Sequence, residues 1–175
     1  MWPDWEDQMK RYALPFFLLG AIGLAAPALA QDNAPRVRGI SAALAVEAAE
    51  AAQALCAQHG NTTTALVVDQ AGLPIAMLSA NGAGALGQRL VTAKANIAAK
   101  LKISSAEAAR RYKTEDPMLF QLAVDPAMGI PLPGGLPIVA HGEVMGAIAV
   151  SGASKEVNDE QCAEAGLDKI KDRLK

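Results

Sequence analysis

Apolar residues recur along the chain with two different periods, and the switches between them lay out the fold. Across residues 41–59, Leu44, Ala48, Ala51 and Leu55 share one side of a helical wheel while Glu47, Glu50 and Gln53 share another, which predicts an amphipathic helix. Alanine dominates this stretch, favouring helix and allowing close packing, and Gly60 is placed to end it. Two short apolar runs follow at 64–69 and 73–79, rich in β-branched residues and separated by Gln70-Ala71-Gly72, the pattern of a β-hairpin. A loop at Asn81, Gly82 and Gly84 leads to a second helix over 86–101, with Leu86, Leu90, Ile97 and Leu101 at helical spacing.

Ser104 and Glu107 form a capping-box signature for a short helix to about Lys113. Asp116-Pro117 starts another, because proline is comfortable in a first helical turn, and Asp125-Pro126 breaks it. A glycine- and proline-rich loop from Met128 to Gly135 precedes a second hairpin, 136–140 and 144–151, around His141-Gly142. Asn158 is placed to cap a last helix that turns Ala163, Leu167, Ile170 and Leu174 inward. The order is α, ββ, αα, ββ, α. Strands that arrive as hairpins predict an α/β (α+β) domain with a central antiparallel sheet flanked by helices.

The N-terminal segment stands apart from this pattern. Lys10-Arg11, an apolar run over 12–26, Pro27 and the triplet Ala28-Leu29-Ala30 have the order of a secretory signal peptide cleaved after Ala30. A membrane-spanning helix needs about 20 apolar residues, and this run is shorter. The first eight residues are acidic, whereas Met9 directly precedes the basic pair, so translation is expected to begin at Met9. The expected organisation is therefore a signal peptide over 1–30, a leader over 31–38 and one domain over 39–175. The product is periplasmic or secreted, with no membrane span after cleavage.

Loss of the first 30 residues leaves 14 basic and 15 acidic side chains among Gln31–Lys175. Such a balance lacks the electrostatic footprint of a nucleic-acid binder, and aromatic residues are too few to form stacking platforms. Cys56 and Cys162 lie in predicted helices at opposite ends of the domain. In an oxidising compartment they are read either as one disulfide or as two separate small buried hydrophobes. Pairing requires the two helices to be neighbours.

Familiar catalytic signatures are absent from the sequence. It has no P-loop and no dinucleotide fingerprint. The Ser151 neighbourhood, AVSGAS, is not a nucleophile elbow, and two cysteines and two histidines lack zinc-ligand spacing. Two features stand out instead. Lys94 falls inside the apolar stripe of the second helix, where a lysine covers the edge of the core, pairs with an acid, or faces a cavity. Gly134-Gly135 sits between Pro133 and Pro137, either as a plain turn into a strand or as backbone held close to a ligand or another chain.

Three segments together resemble a known family: Val67-Val68-Asp69-Gln70-Ala71-Gly72, the helix with Lys94-Ala95, and GGLPIVAHGEVMGAIAVSGAS over 134–154 with Asp159 shortly after. They are similar to the GlcG/HbpS-like heme-binding family, and the resemblance extends over about 41–175. Differences lie at Ser79-Ala80-Asn81-Gly82-Ala83, where the family often has R-x-D-G-A, at Lys94-Ala95-Asn96-Ile97-Ala98, where it has K-A-x-T-A, and at Ala149 in place of a glycine. The resemblance implies a compact α/β fold, assembly into a homo-oligomer, and heme or a related tetrapyrrole as ligand.

Heme iron accepts His, Met, Cys or Tyr, so the iron candidates are Met128 and His141, with Tyr112 beside the bases Arg110, Arg111 and Lys113. The expected pocket lies between Lys94, Met128 and Gly134-Gly135, with Tyr112 as a further cofactor contact. The leading expectation is an exported tetrapyrrole binder for transport, storage or sensing, a binder sooner than a conventional enzyme. The alternatives are an enzyme or accessory protein acting on a small molecule, heme degradation included, and a cofactor-free oligomeric interaction or sensor protein.

Overall fold

The computed structural model describes residues 39–114, 116–154 and 156–174. The signal peptide and leader expected over 1–38 lie outside the described residues. In chain order the elements are α1 (Ala42–Gln58), β1 (Thr64–Asp69), β2 (Pro74–Ser79), α2 (Ala85–Leu101), α3 (Ser105–Tyr112), α4 (Gln121–Val124), β3 (Gly135–Ala140), β4 (Glu143–Ser151) and α5 (Asp159–Ile170). Short 3-10 turns at Pro117–Phe120 and Lys171–Arg173 complete them. None of the described helices is long and apolar enough to cross a membrane.

The four strands form one antiparallel sheet in the order β2-β1-β4-β3. Ala65 and Val67 of β1, with Ile148 and Val150 of β4, join the cluster that contains the inner faces of α1 and α5. Their neighbours Leu66, Val68, Ala147 and Ala149 point the other way, onto Val91, Ala95 and Ala98 of α2. Both faces of the central strands are thus covered, so TALVVD and AIAVS read as continuous apolar runs and not as an alternation. The sheet is the middle of three layers.

Caps fix where the helices begin. The Ser41, Ser104 and Asn158 side chains accept the N–H groups of Leu44, Glu107 and Gln161. Gln161 returns the bond to the Asn158 N–H, closing a capping box. At Ser104 the reciprocal half is replaced: the Glu107 carboxylate is bonded to Arg110 and Arg111.

Two faces differ from the sequence expectation. In α1 the buried residues are Ala45, Ala48, Ala49, Ala52 and Cys56, and Leu44 and Leu55 are only half-buried. The cause is α5, which passes so near that a Cβ on Gly166 would lie 2.5 Å from the Ala48 carbonyl oxygen; only alanine fits between. In α2 the Leu86–Leu101 stripe splits, since Ile97 is buried but Leu86 is 59% exposed. Cys56 and Cys162 sit where α1 and α5 meet and are joined in a disulfide with Cα atoms 5.7 Å apart, which resolves the two readings left open by the sequence.

Candidate functional site

Lys94 lies in the third turn of α2, among residues that face the sheet, and only 3% of it reaches solvent. An ammonium so buried needs partners for its protons. Nζ donates to the Val150 carbonyl at 3.1 Å and to Asp159 Oδ2 at 2.5 Å. Asp159 is the first residue of α5, where the helix N-terminus favours a negative side chain. Its other oxygen accepts the Ala153 N–H at 2.7 Å. One carboxylate thereby fastens α2, the end of β4 and the start of α5 together.

The double glycine follows from the same crowding. Gly134 has φ +120°, and a Cβ there would stand 2.6 Å from Asp159 Cβ and 2.8 Å from the Val150 carbonyl oxygen. A Cβ on Gly135 would stand 2.4 Å from the Lys94 carbonyl oxygen. In place of a side chain, the Gly134 carbonyl accepts the Val150 N–H at 2.9 Å, and the Gly135 N–H donates to Ser105 Oγ at 2.8 Å. The backbone enters β3 directly against α2, where only glycine fits.

A cleft of about 560 Å³ opens above this junction. Leu86 and Leu90 of α2 line it together with Leu132 and Pro133. Lys94, Asp159, Asn158 and Glu160 are the charged and amide groups in the lining. Burial raises the Glu160 carboxyl above its ordinary range, Glu164 adds to the rise, and Arg110 opposes it. Such a cleft has the size and the mostly apolar lining of a small-molecule site with a few fixed polar groups.

The structure brings Lys94, Gly134 and Gly135 together, and it places Met128 elsewhere. Met128 is 1% exposed and packs with Ile97, Leu101, Ala108 and Leu119 in a separate apolar cluster. Tyr112, 54% exposed at the end of α3, borders a different surface pocket with Pro117 and Phe120. His141 is exposed in the β3–β4 turn at φ +52°. No group of three or more His, Cys, Asp or Glu gathers around a possible metal position among the described residues. Asp159, Glu160, Leu132 and Pro133, none of them expected at the site from the sequence, also line the cleft. A lysine inside an apolar stripe was the available signal for an acidic partner, but α5 is remote in sequence and does not announce itself as that partner.

The model of the haem-degrading HbpS-like protein family matches residues 40–168. The chain belongs to this family. Among solved structures, HbpS is 27% identical with a TM-score of 0.67, covering 78% of this chain and 93% of that one. An HbpS double mutant from Streptomyces reticuli is 26% identical with a TM-score of 0.66, covering 86% and 97%. The heme complex of PduOC shares the fold at 19% identity and a TM-score of 0.68, covering 75% and 95%. A comparison with curated proteins found no match. In this HbpS-like chain, the altered loop after β2 is held by polar side chains: Ser79 Oγ lies 3.1 Å from Thr64 Oγ1 and accepts from Gln88 at 3.2 Å.

Proposed function

We propose that this HbpS-like protein is an exported binder of heme or a related tetrapyrrole, serving transport, storage or sensing. The observation that carries the reading is the cleft over Lys94, lined by Leu86, Leu90, Leu132 and Pro133 and by the Lys94–Asp159 ion pair. A flat macrocycle buries its apolar faces against Leu86, Leu90, Leu132 and Pro133, and its carboxylates stay at the rim near solvent. Lys94 is already engaged by Asp159 and the Val150 carbonyl, so it suits holding a shape better than attacking a substrate. Family membership and the heme-bound PduOC neighbour support the ligand class. Export is supported by the basic, apolar and small-residue order of residues 10–30.

Protoporphyrin IX, which lacks iron, tests the cleft alone. Leu86 is 59% exposed, so Leu86→Glu leaves the core intact and places a charge on an apolar wall. The wild type is expected to quench porphyrin fluorescence saturably and the variant to lose most of that binding. Equal binding by both would overturn the assignment to this cleft. For export, a mature N-terminus at Gln31 is expected in the cell envelope or medium, and an unprocessed chain confined to the cytosol would contradict it.

A further inference from the structure

The cleft over Lys94 contains no histidine, methionine, cysteine or tyrosine in its lining, so it offers heme iron none of the usual protein ligands. A methionine is exposed on the other side of α2. Met77 of β2 pairs with Leu66 of β1, and Leu66 points to the α2 face; Met77 therefore points to that face too. The apolar cluster on this face draws on α2, β1 and β4 alone, and Met77 at the sheet edge is 41% exposed. Between β2, α2 and the loop after α4 lies a groove of about 720 Å³. Met77, Ala85, Arg89, Ala93, Pro126 and Ala127 are among its lining.

The charge arrangement in this groove is selective. Gln88 and Thr92 also line it, but their side chains are occupied by Ser79 Oγ and the Gln88 carbonyl. Asp125, next to Pro126, is tied to Lys100 at 2.7 Å. Arg89 is the one charged side chain in the lining, and it has no ion pair among the described residues. A thioether, a guanidinium and small apolar walls in one groove match an iron porphyrin bearing carboxylates. Thioether sulfur is a soft ligand, and guanidinium pairs with carboxylate in a bidentate fashion.

We propose that the groove between α2 and β2 is an iron-directed heme site, with the Met77 thioether on the metal and Arg89 on a propionate. This rests on the reading that the chain takes tetrapyrroles and adds the place where iron is recognised. Soft sulfur favours the reduced metal, so ferrous heme is the better ligand.

The test titrates the full protein with hemin reduced by dithionite, and with protoporphyrin IX, using the wild type, Met77→Leu, Met77→His and Arg89→Glu. Both positions, Met77 and Arg89, are exposed, and far-ultraviolet circular dichroism confirms folding. The expected result is a changed ferrous-heme spectrum in Met77→Leu, where the thioether is gone, and a histidine-ligated spectrum in Met77→His. Arg89→Glu raises the heme Kd about tenfold or more, as loss of a charge-assisted bond requires. Porphyrin binding stays unchanged in Met77→Leu. Heme spectra and affinities identical in all four proteins would overturn the groove while leaving the tetrapyrrole reading standing. A wild type that binds neither ligand overturns both.

Discussion

Lys94 and Asp159 form a nearly buried ion pair, with Nζ 2.5 Å from Oδ2 and side-chain exposures of 4% and 16%. Sixty-five residues apart in sequence, they join the helix under the sheet to the helix above it. Removing one partner of such a pair strands the other charge, at a cost of about 3–5 kcal/mol. Lys94→Met is therefore expected to lower unfolding stability by roughly that amount, and Lys94→Met with Asp159→Asn to recover part of it. Urea denaturation of the single and double variants measures the coupling. Additive losses would show that the two groups do not act as a pair.

Gly134 bears on the same junction. With φ at +120° and Asp159 Cβ only 2.6 Å from where its own Cβ would stand, Gly134→Ala meets both backbone strain and overlap. Each effect costs on the order of 1–3 kcal/mol. A melting temperature lowered by several degrees is expected, whereas Gly142→Ala, also at positive φ but with open space around it, is expected to be milder. Equal effects at the two sites would contradict the crowding argument.

The disulfide closes a loop between positions 106 residues apart. Chain-entropy reasoning assigns such a crosslink about 4–5 kcal/mol. Cys56→Ser combined with Cys162→Ser is expected to unfold at markedly lower denaturant with an unchanged far-ultraviolet spectrum. A double variant as stable as the wild type would show that α1 and α5 hold each other without the bond.

Acid and neutral stability depend on different groups. Lys100 and, secondarily, the Ala127 N–H hold the Asp125 carboxyl below its ordinary range; its contribution is present above that range and lost as pH falls through the lowered value. Glu160 runs the other way. Burial raises its pKa, so its favourable contribution is present below the ordinary glutamate range and is lost as pH rises through the raised value. Glu160→Gln is thus expected to gain stability relative to the wild type over the window that opens at the ordinary glutamate range and closes above the raised value. Guanidinium melts at both ends of that window read the difference, and a gain confined to the acid end would contradict the sign.

Much of this architecture was legible in the sequence because it is locally encoded. The hairpins over Thr64–Asp69 with Pro74–Ser79 and Gly135–Ala140 with Glu143–Ser151 follow from β-branched runs broken by glycine. The caps at Ser104 and Asn158 follow from their side chains alone. What remained hidden depends on which helices meet. The buried face of α1 could not be told from its leucines until Gly166 of α5 set the spacing, and the disulfide required the same contact. Met128 looked like a pocket residue because it opens the Gly-Pro loop, but that loop turns its side chain back onto Ile97 and Leu119. At the cleft, Lys94 and the double glycine were visible as anomalies, whereas Asp159 and the walls Leu132 and Pro133 were not, since nothing local ties them to Lys94.

Tetrapyrrole binding by this chain is read most simply from a hemin titration of the purified protein followed by absorbance. A saturable Soret change at about micromolar concentration is expected. A titration indistinguishable from that of an unrelated protein of similar size would contradict it.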